Sequence, residues 1–443
     1  MAPELIVVET DANPPPRADV VIIGGGIAGV STLLALAEKG VSVALVEKGR
    51  LAGEQSSRNW GFCRTQGRDQ NEVPLALESL RLWDRMAQRV GADVGFTRAG
   101  ACYLCQTPAE VAAYEAWLEN ARQWQVQSRI LGPDEVDAVL PGSSRRWAGA
   151  LYTPNDGRAE PQLAVPLMAQ AARRLGASVV TNCAARGFET TAGRLSGVVT
   201  EHGTIACDAA VLAGGAWSRL FCGNMGVDFP QLKILGSVMR TAPLNGPPEL
   251  AVAGPDFAFR KRRDGGYTVA RRNKYEAHIV PDSFRLLPRF LSAMIRTKQE
   301  YRIRPFGRFR EELRIPRSWA LDQASPFEAT RVLDPAPNPA IVEESRRNLI
   351  RAFPAFAPVR VAQSWGGLID TTPDAVPVIA PVQAVPGFFL MSGFSGHGFG
   401  IGPGAGRLMS ELVTGATPVV DPAPFRFERF GGRAAEPGLA KAA

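Results

Sequence analysis

The sequence predicts an α/β protein with two domains, one built on a doubly wound parallel sheet and the other on an antiparallel sheet. Three observations support this prediction: a strand-helix-strand pattern over residues 18–47, two glycine-rich turns near the ends of the chain, and a change of composition between about 232 and 358. With 443 residues, 45% of them apolar, the chain is long enough to bury the cores of two domains.

The opening pattern consists of an apolar strand over 20–23, a helix over about 27–39 and a second strand over 41–46 that ends at Glu47. A parallel pair of strands joined by a helix is the unit of a Rossmann-like sheet, which binds ligands at the carboxyl ends of its strands.

The first glycine turn, Gly24-x-Gly26-x-x-Gly29, joins that first strand to the helix and has the spacing of a dinucleotide-binding turn. In such a turn Gly24 allows the tight bend, Gly26 lets the backbone approach a pyrophosphate, and Gly29 lets helix and strand pack closely. Glu47 lies 18 residues after Gly29, near the offset at which an acid binds the ribose hydroxyls.

The second glycine turn covers residues 393–404 and again separates strand-like from helix-like sequence, with the final helix expected over 406–413. Its bare backbone is suited to close contact with the far end of the same cofactor. The two turns together predict one dinucleotide held across most of the fold.

The predicted dinucleotide-binding domain is discontinuous, with segments 1–97, 154–231 and 359–443, and the second domain comprises 98–153 and 232–358. Within these segments the pattern predicts helices over 74–89, 108–126 and 161–175, and strands over 98–106 and 147–153. A polar loop over 54–64 follows Glu47 and is placed to line the cofactor.

The net charge of +7 is concentrated between Arg285 and Arg317, where ten Arg or Lys face three Glu. A solvated basic face on a helical insertion is the leading interpretation. Attraction of an anionic substrate or acidic partner stays open, as does peripheral membrane contact through 284–317. No nucleic-acid partner is expected, because no recognisable module accompanies the charge.

Six cysteines in a chain of this length do not form a disulfide framework, and a reducing compartment agrees with their number. Cys102 and Cys105 lie in a predicted strand and are interpreted as core residues, so no metal site is expected. The chain has neither a secretory signal at its start nor an apolar run long enough to span a bilayer, and the expected location is cytoplasmic.

Taken together, these motifs identify a family resemblance along nearly the whole chain. The residues that carry it are the first glycine turn with Glu47, the Ser57-Arg58-Asn59 loop, the segments 213–218 and 365–368, the triplet 372–374, and the run 393–399. The chain resembles the D-amino-acid-oxidase/sarcosine-oxidase-like family of FAD-dependent amine oxidoreductases.

The resemblance implies a Rossmann-like FAD-binding domain with an antiparallel-sheet substrate domain. It places the start of the last helix, near 396–401, against the pyrimidine edge of the flavin, where helix N–H groups stabilise negative charge. The implied FAD-binding residues are Gly24, Gly26, Ile27, Ala28, Gly29, Glu47, Lys48, Ser56, Ser57, Arg58, Asn59, Ala185, Gly214, Trp217, Gly366, Gly396, His397, Gly398, Phe399, Gly400 and Ile401.

The implied reaction removes a hydride from the carbon next to nitrogen in an amino acid or secondary amine and delivers it to flavin N5. The resulting imine hydrolyses in water, and the electron acceptor is oxygen or a quinone or other electron-transfer partner. Oxidation of a 2-hydroxy acid and a non-catalytic flavoprotein subunit are the alternative interpretations.

Three positions depart from sarcosine oxidase and limit what the resemblance carries over. Gly367 replaces the cysteine that links covalently to flavin, so the FAD is expected to be noncovalent. Gly400 replaces a lysine that binds the substrate carboxylate, and Thr268 stands where a lysine activates oxygen. A dehydrogenase is therefore as consistent with the sequence as an oxidase.

The substrate pocket then needs another cation for a carboxylate, and Arg64 and Arg271 or Arg272 are the candidates because a guanidinium binds carboxylate with two hydrogen bonds. Trp60 and Tyr267 are candidate aromatic walls. His397 is expected to contact the flavin or lie beside the substrate.

Overall fold

A computed structural model describes residues 2–431, so the first residue and 432–443 of the predicted terminal segments lie outside the described part. In chain order its strands are β1 Val20–Ile23, β2 Val43–Val46, β3 Phe62–Cys63, β4 Ala101–Cys105, β5 Arg129–Leu131, β6 Gly149–Thr153, β7 Gly157–Arg158, β8 Ser178–Val180, β9 Ala185–Thr191, β10 Arg194–Thr200, β11 Gly203–Ala206, β12 Ala209–Leu212, β13 Leu232–Thr241, β14 Ala251–Ala253, β15 Ala258–Lys261, β16 Tyr267–Ala270, β17 Tyr275–His278, β18 Tyr301–Arg304, β19 Val361–Thr371, β20 Val378–Pro381 and β21 Phe388–Ser392.

The helices follow the same numbering along the chain. They are α1 Ile27–Ala37, α2 Gln55–Arg58, α3 Val73–Asp84, α4 Met86–Val90, α5 Pro108–Ala121, α6 Pro133–Val139, α7 Pro161–Arg174, α8 Ser218–Asn224, α9 Pro281–Arg285, α10 Leu287–Thr297, α11 Phe309–Arg314, α12 Pro326–Ala329, α13 Pro339–Ala352 and α14 Gly398–Thr414.

The first sheet has the strand order β20-β21-β12-β1-β2-β8 and is parallel except for β20 at one edge. Strands β1 and β2 are buried along their whole length, as expected for apolar strands covered on both faces. Helices α1, α7 and α14 contribute to the core on one face, and the three-stranded sheet β11-β10-β9 contributes to the other. The predicted Rossmann-like parallel sheet is confirmed, with helices on one face and the three-stranded sheet on the other.

Helix α14 packs against α1 at unusually short range because alternate positions of its first half are glycine. A Cβ at Gly406 would lie 2.4 Å from the carbonyl carbon of Ser31, and one at Gly402 would lie 2.5 Å from Ile27 Cγ1. The helix begins at Gly398 and continues through Pro403, eight residues earlier than the sequence predicted. Glycine and proline disfavour an isolated helix, but tertiary packing overrides that local preference.

The second sheet has the order β18-β17-β13-β16-β15-β14-β4-β6-β5, with β19 paired to β13. Most neighbours are antiparallel, although β14 runs parallel to β4 and β17 parallel to β18. Strand β19 pairs with β13 from Leu232↔Thr371 to Thr241↔Val361. The chain therefore returns to the first sheet only after residue 371, twelve residues beyond the predicted domain division at residue 359.

One other predicted element differs in detail. The helix predicted over 74–89 is two helices, α3 and α4, that meet at Arg85. Cys102 and Cys105 both lie in β4, and all six cysteines, each within the described residues, are buried and form no disulfide. No helix within residues 2–431 has the length and apolar character needed to cross a bilayer.

The tight contact of α14 with α1 predicts opposite effects for two alanine substitutions. G406A forces a methyl group against the Ser31 backbone and should lower the free energy of unfolding by about 1–3 kcal/mol. G223A in α8 meets no atom within 4 Å and should raise it by about 0.4–1 kcal/mol. Urea unfolding of both variants measures this, and equal effects would refute the packing argument.

Candidate active site

A cavity of about 1060 Å³ lies between the two sheets, at the carboxyl ends of the first sheet's strands. Ile23, Val46 and Leu212 reach it from β1, β2 and β12, while Val238 and Ile369 reach it from the second sheet. Ligands in open α/β sheets bind at this edge. Residues that line this cavity are the candidates for contact with a ligand.

The first glycine turn presents the start of α1 to the cavity. Gly24, Gly26, Ile27 and Ala28 line it, and α1 begins without a side-chain cap, so the positive end of the helix faces the cavity. The Ile27 amide donates to Ser56 Oγ at 2.8 Å, which attaches the loop after β2 to the turn. Ser56 lines the cavity as well.

Gly29 does not line the cavity and has a packing role. A Cβ there would lie 2.0 Å from the Gly24 carbonyl oxygen, so glycine is needed for the turn to close onto the helix. Gly24 itself has a φ of +115°, a backbone conformation that favours glycine.

Glu47 lines the cavity at the end of β2 with its carboxylate held by two backbone amides. Gly25 N donates to Oε2 at 2.7 Å and Gly49 N donates to Oε1 at 2.8 Å. Burial raises the pKa of Glu47. Lys48 also reaches the cavity, but its ammonium donates to Glu54 at 2.8 Å and to the carbonyls of residues 330 and 331, and these three bonds use all its donors.

The loop over 54–64 shapes the cavity wall. Arg58 lines the cavity but donates to Asp334 at 2.7 Å and to the Gly366 carbonyl at 2.8 Å, which joins the two sheets. Asn59 accepts a hydrogen bond from the Gly61 amide and donates to the Ser56 carbonyl. Ser57 is fully buried behind the loop and does not line the cavity.

Three further predicted cofactor residues line the cavity farther along the groove. Ala185 begins β9, Gly214 follows β12, and the Trp217 indole donates to Glu54 Oε1 at 3.0 Å. These residues and the first glycine turn therefore line one part of the cavity, here called the groove, which extends from Ala185 and Glu47 past that turn.

The second glycine turn lies at the other end of the groove. Gly396, His397, Gly398, Phe399 and Gly400 line the cavity, and α14 begins there without a side-chain cap. Ile401 is buried in the core and does not line the cavity. Gly366 also points away from the cavity, where a Cβ would meet the Pro335 carbonyl oxygen at 2.6 Å, and its neighbour Gly367 is the lining residue.

The buried carboxyl of Asp370 holds the second turn in place. Its Oδ2 accepts the Gly393 amide at 2.8 Å and the Gln231 side chain at 3.0 Å, and its carbonyl accepts the Ser395 amide at 3.0 Å. Burial raises the pKa of Asp370. The sequence analysis missed this residue because its partners are distant along the chain.

The predicted substrate residues divide into two groups. Trp60, Arg64 and Arg271 line the cavity, although Arg271 is half-buried and donates to Glu344 at 3.2 Å. Tyr267 and Arg272 do not line it. Tyr267 is fully buried, donates to the Pro247 carbonyl at 2.9 Å and packs edge-on against Phe356.

Arg272 is buried behind the cavity, where its guanidinium donates to the Tyr114 hydroxyl at 3.1 Å and lies 4.5 Å from the Tyr103 ring centroid. The assignments of Tyr267 as a pocket wall and Arg272 as a substrate cation are thus wrong in this structure. The predicted pocket strand exists as β16, but Ala270 is the residue of this strand that lines the cavity.

A buried charged cluster lies beneath the second turn. His397 Nδ1 is 3.3 Å from Glu72 Oε2, and both side chains are nearly inaccessible. Burial lowers the pKa of His397. Burial alone would raise the pKa of Glu72, but His397, Arg68 and Arg64 outweigh it and leave that pKa below its usual value.

Arg68 and Glu72 were not singled out by the sequence. They follow β3 in a segment without a motif, and the one available signal was a run of charged residues directly before the apolar pattern of α3. Arg68 lines the cavity and is 2% exposed.

The residues present fit an extended dinucleotide. Two helix starts without side-chain caps and a row of glycines face one cavity, and Glu47 lines the same cavity at the end of β2. A cofactor with negative charge at both its pyrophosphate and its ring is therefore matched by positive helix ends at both places.

Comparison with known proteins identifies this dinucleotide-binding fold. The DAO family of FAD dependent oxidoreductases matches residues 19–412, and the chain belongs to this family. L-amino acid deaminase from Proteus myxofaciens is 34% identical with a TM-score of 0.93, over 97% of both chains. L-amino acid deaminase from Proteus vulgaris is 32% identical with a TM-score of 0.91, over 96% of this chain and 99% of that chain.

By sequence, the sarcosine oxidase subunit beta of Arthrobacter sp is 27% identical over 95% of this chain and 93% of its own length. The protein is accordingly an enzyme of the FAD-dependent amino-acid and amine oxidoreductases, and its cofactor is FAD.

The position of Glu47 predicts a specific loss of FAD affinity. E47Q keeps the size of the side chain but removes the charge that strengthens its hydrogen bonds, and should weaken FAD binding about 10- to 100-fold. E38Q, at an exposed glutamate that pairs with Arg89, is the matched control and should leave binding unchanged. Titration of apoprotein with FAD measures both, and equal affinities would contradict the assignment.

Proposed function

We propose that this enzyme oxidises the C–N bond of an amino acid or secondary amine, giving an imine that hydrolyses in water. The observation that carries the proposal is the meeting of the two glycine turns with Trp60, Arg64 and Arg68 in one cavity between the sheets. The relatives support it, since they are named L-amino acid deaminase and sarcosine oxidase, and the Proteus myxofaciens structure contains anthranilate, an amino carboxylate.

When bound, FAD would supply the oxidising chemistry, as the acceptor of a hydride from the carbon next to nitrogen. The protein's part is to hold that carbon in position and to exclude water. Trp60 lies at the cavity wall against Val238, Ala270 and Trp365, which gives the substrate end an apolar side.

The start of α14 contributes electrostatically to the proposed reaction. Its amides, near Gly398, direct the positive end of a 17-residue helix into the cavity. Negative charge that develops on the cofactor is stabilised there without reorganisation, because Asp370 and the helix packing already hold the turn. His397 stands at this turn as the residue before the helix and lines the cavity.

The two lysines of sarcosine oxidase that this chain replaces with Gly400 and Thr268 bear on the choice of electron acceptor. Thr268 lies in β16 with its hydroxyl 3.3 Å from Arg262 and does not line the cavity, and Gly400 has no room for a side chain. Gly367 offers no thiol, which favours noncovalent FAD. The acceptor is oxygen, or a quinone or other electron-transfer partner. The six buried cysteines, which form no disulfide among the described residues, favour a reducing, cytoplasmic location.

Anaerobic mixing of the FAD-loaded enzyme with amino acids, secondary amines and 2-hydroxy acids tests the proposal. Amino acids or amines should bleach the flavin, and bleaching by 2-hydroxy acids alone would refute it. With the active compound and air, peroxide formation identifies an oxidase. Reduction of a dye without peroxide identifies a dehydrogenase.

We also propose that the mouth of the cavity docks on an anionic lipid surface. Helices α9–α11 and β18 carry an exposed apolar set, here called the insertion surface, which consists of Phe284, Leu287, Leu291, Met294, Ile295, Ile303, Phe306 and Leu313. Six of these, all except Phe306 and Leu313, also line the cavity.

Charge supports an anionic occupant for this surface. Within the described residues, the exposed cations Arg296, Lys298, Arg310 and Arg314 have no carboxylate within 4 Å. Basic side chains beside an amphipathic helix are attracted to acidic headgroups while the apolar face enters the bilayer boundary. A lipid-soluble acceptor would then meet the cavity directly.

Co-sedimentation with lipid vesicles tests the docking. The protein should bind vesicles that contain an acidic phospholipid, more weakly at high salt, and not vesicles of phosphatidylcholine alone. The double variant L291E/I295E should lose binding, and L175E, at an exposed leucine that ends α7, should keep it. Equal binding of both variants, or no binding by the unmodified protein, would refute this docking.

A further inference from the structure

The cavity is lined by buried guanidinium groups that the described residues leave partly without direct ion pairs. Arg58, Arg64 and Arg68 are buried cations that line it, and only Arg58 has a carboxylate within 4 Å, at Asp334. Among the described residues neither Arg64 nor Arg68 forms an ion pair within that distance. A buried guanidinium without a counter-charge is costly, so such a pair favours an anion from outside the chain.

Arg68 has the donor that is still free. Its Nε donates to the Arg64 carbonyl at 3.3 Å, whereas its fully buried Nη1 has no hydrogen-bond partner in the described structure. Arg64, by contrast, donates from Nη1 to the Gln66 carbonyl and lies 5.1 Å from the Tyr103 ring centroid. Arg68 therefore has unused capacity to bind a carboxylate, and Arg64 adds positive charge beside it.

The place of Arg68 in the cavity is set by the last helix. A Cβ at Gly400 would lie 3.3 Å from Arg68 Nη2 and 2.7 Å from the Phe62 carbonyl oxygen. The guanidinium thus occupies the space into which a side chain at position 400 would project. It lies beside the first turn of α14, so a guanidinium and the positive end of a helix act on the same region.

The carboxyls nearest to Arg68 offset part of its charge without forming a hydrogen bond to its Nη1. Glu72 faces His397 at 3.3 Å, and both of its buried oxygens accept no hydrogen bond. Asp156 is held by Thr65 Oγ1 at 2.9 Å and by backbone amides, and burial raises its pKa to about 6. Burial and the neighbouring Arg64 lower the pKa of Arg68 to about 10, so it stays charged at neutral pH.

We propose that Arg68, supported by Arg64, binds the carboxylate of the substrate, so that the enzyme selects amino acids over amines without a carboxylate. This inference rests on the proposed C–N oxidation. It assigns the role to a residue on the cavity floor, in place of Arg271 at the mouth, whose guanidinium already pairs with Glu344.

Binding of benzoate and of its uncharged analogue benzamide to the FAD-loaded enzyme tests the assignment, with flavin absorbance as the readout. The unmodified enzyme should bind benzoate more tightly than benzamide. R68M should weaken benzoate binding about 10- to 100-fold, since a hydrogen bond to a charged group is lost, and leave benzamide binding unchanged. R68K should fall between, because an ammonium cannot form the two-bond contact.

R122M, at an exposed arginine that pairs only with Glu119 on the surface, is the matched control and should bind benzoate like the unmodified enzyme. Equal affinity of the unmodified enzyme for benzoate and benzamide overturns the assignment even if R68M fails to fold. A loss in R271M with none in R68M or R68K overturns it as well.

A second experiment distinguishes failure of the carboxylate assignment from failure of the proposed function. Flavin bleached equally well by phenylalanine and by phenethylamine would leave C–N oxidation standing and overturn carboxylate selection by Arg68. Flavin bleached by neither these compounds nor other amines and amino acids would overturn the proposed function itself.

Discussion

The close approach of α14 to α1 and β3 is the constraint on which the rest of the site depends. It exists because alternate residues from Gly398 to Gly406 are glycines. The helix backbone can therefore pack directly against Phe62, Ile27 and Ser31, whose atoms lie where side chains would project. The approach places the starts of two helices, one from each end of the chain, at a single cavity. One cofactor can then contact both.

Charge at the cavity follows from the same packing. Both helix starts are positive, Arg64 and Arg68 are buried beside the second of them, and Glu72 and Asp156 are the buried carboxylates nearby. A site with this balance favours anionic ligands and developing negative charge. The proposed hydride removal from a neutral amine depends on positioning more than on a strong base.

The parts of the fold that a local pattern encodes could be predicted from the sequence. The strand-turn-helix-strand over 18–47, Glu47 at its end and the second glycine turn each have a periodicity or spacing that identifies them, and the family comparison confirms the cofactor they predict. The start of α14 was placed too late, because glycine and proline signal a loop when packing is unknown.

What the sequence could not show depends on contacts between distant residues. Asp370, in β19 of the second sheet, accepts a hydrogen bond from the Gly393 amide. Glu72, the residue directly before α3, contacts His397. Tyr267 was placed on the wrong face of β16, since a single residue of register decides whether a side chain meets the cavity or the core formed with Phe259 and Phe356.

The most direct test of the central claim is the rate of flavin bleaching by an amino acid that carries deuterium on its α-carbon, measured anaerobically with the FAD-loaded enzyme. If the cavity holds that carbon for hydride transfer to the flavin, bleaching should be slower with the deuterated amino acid than with the ordinary one. Bleaching at equal rates under conditions where reduction itself is rate-limiting would contradict the account.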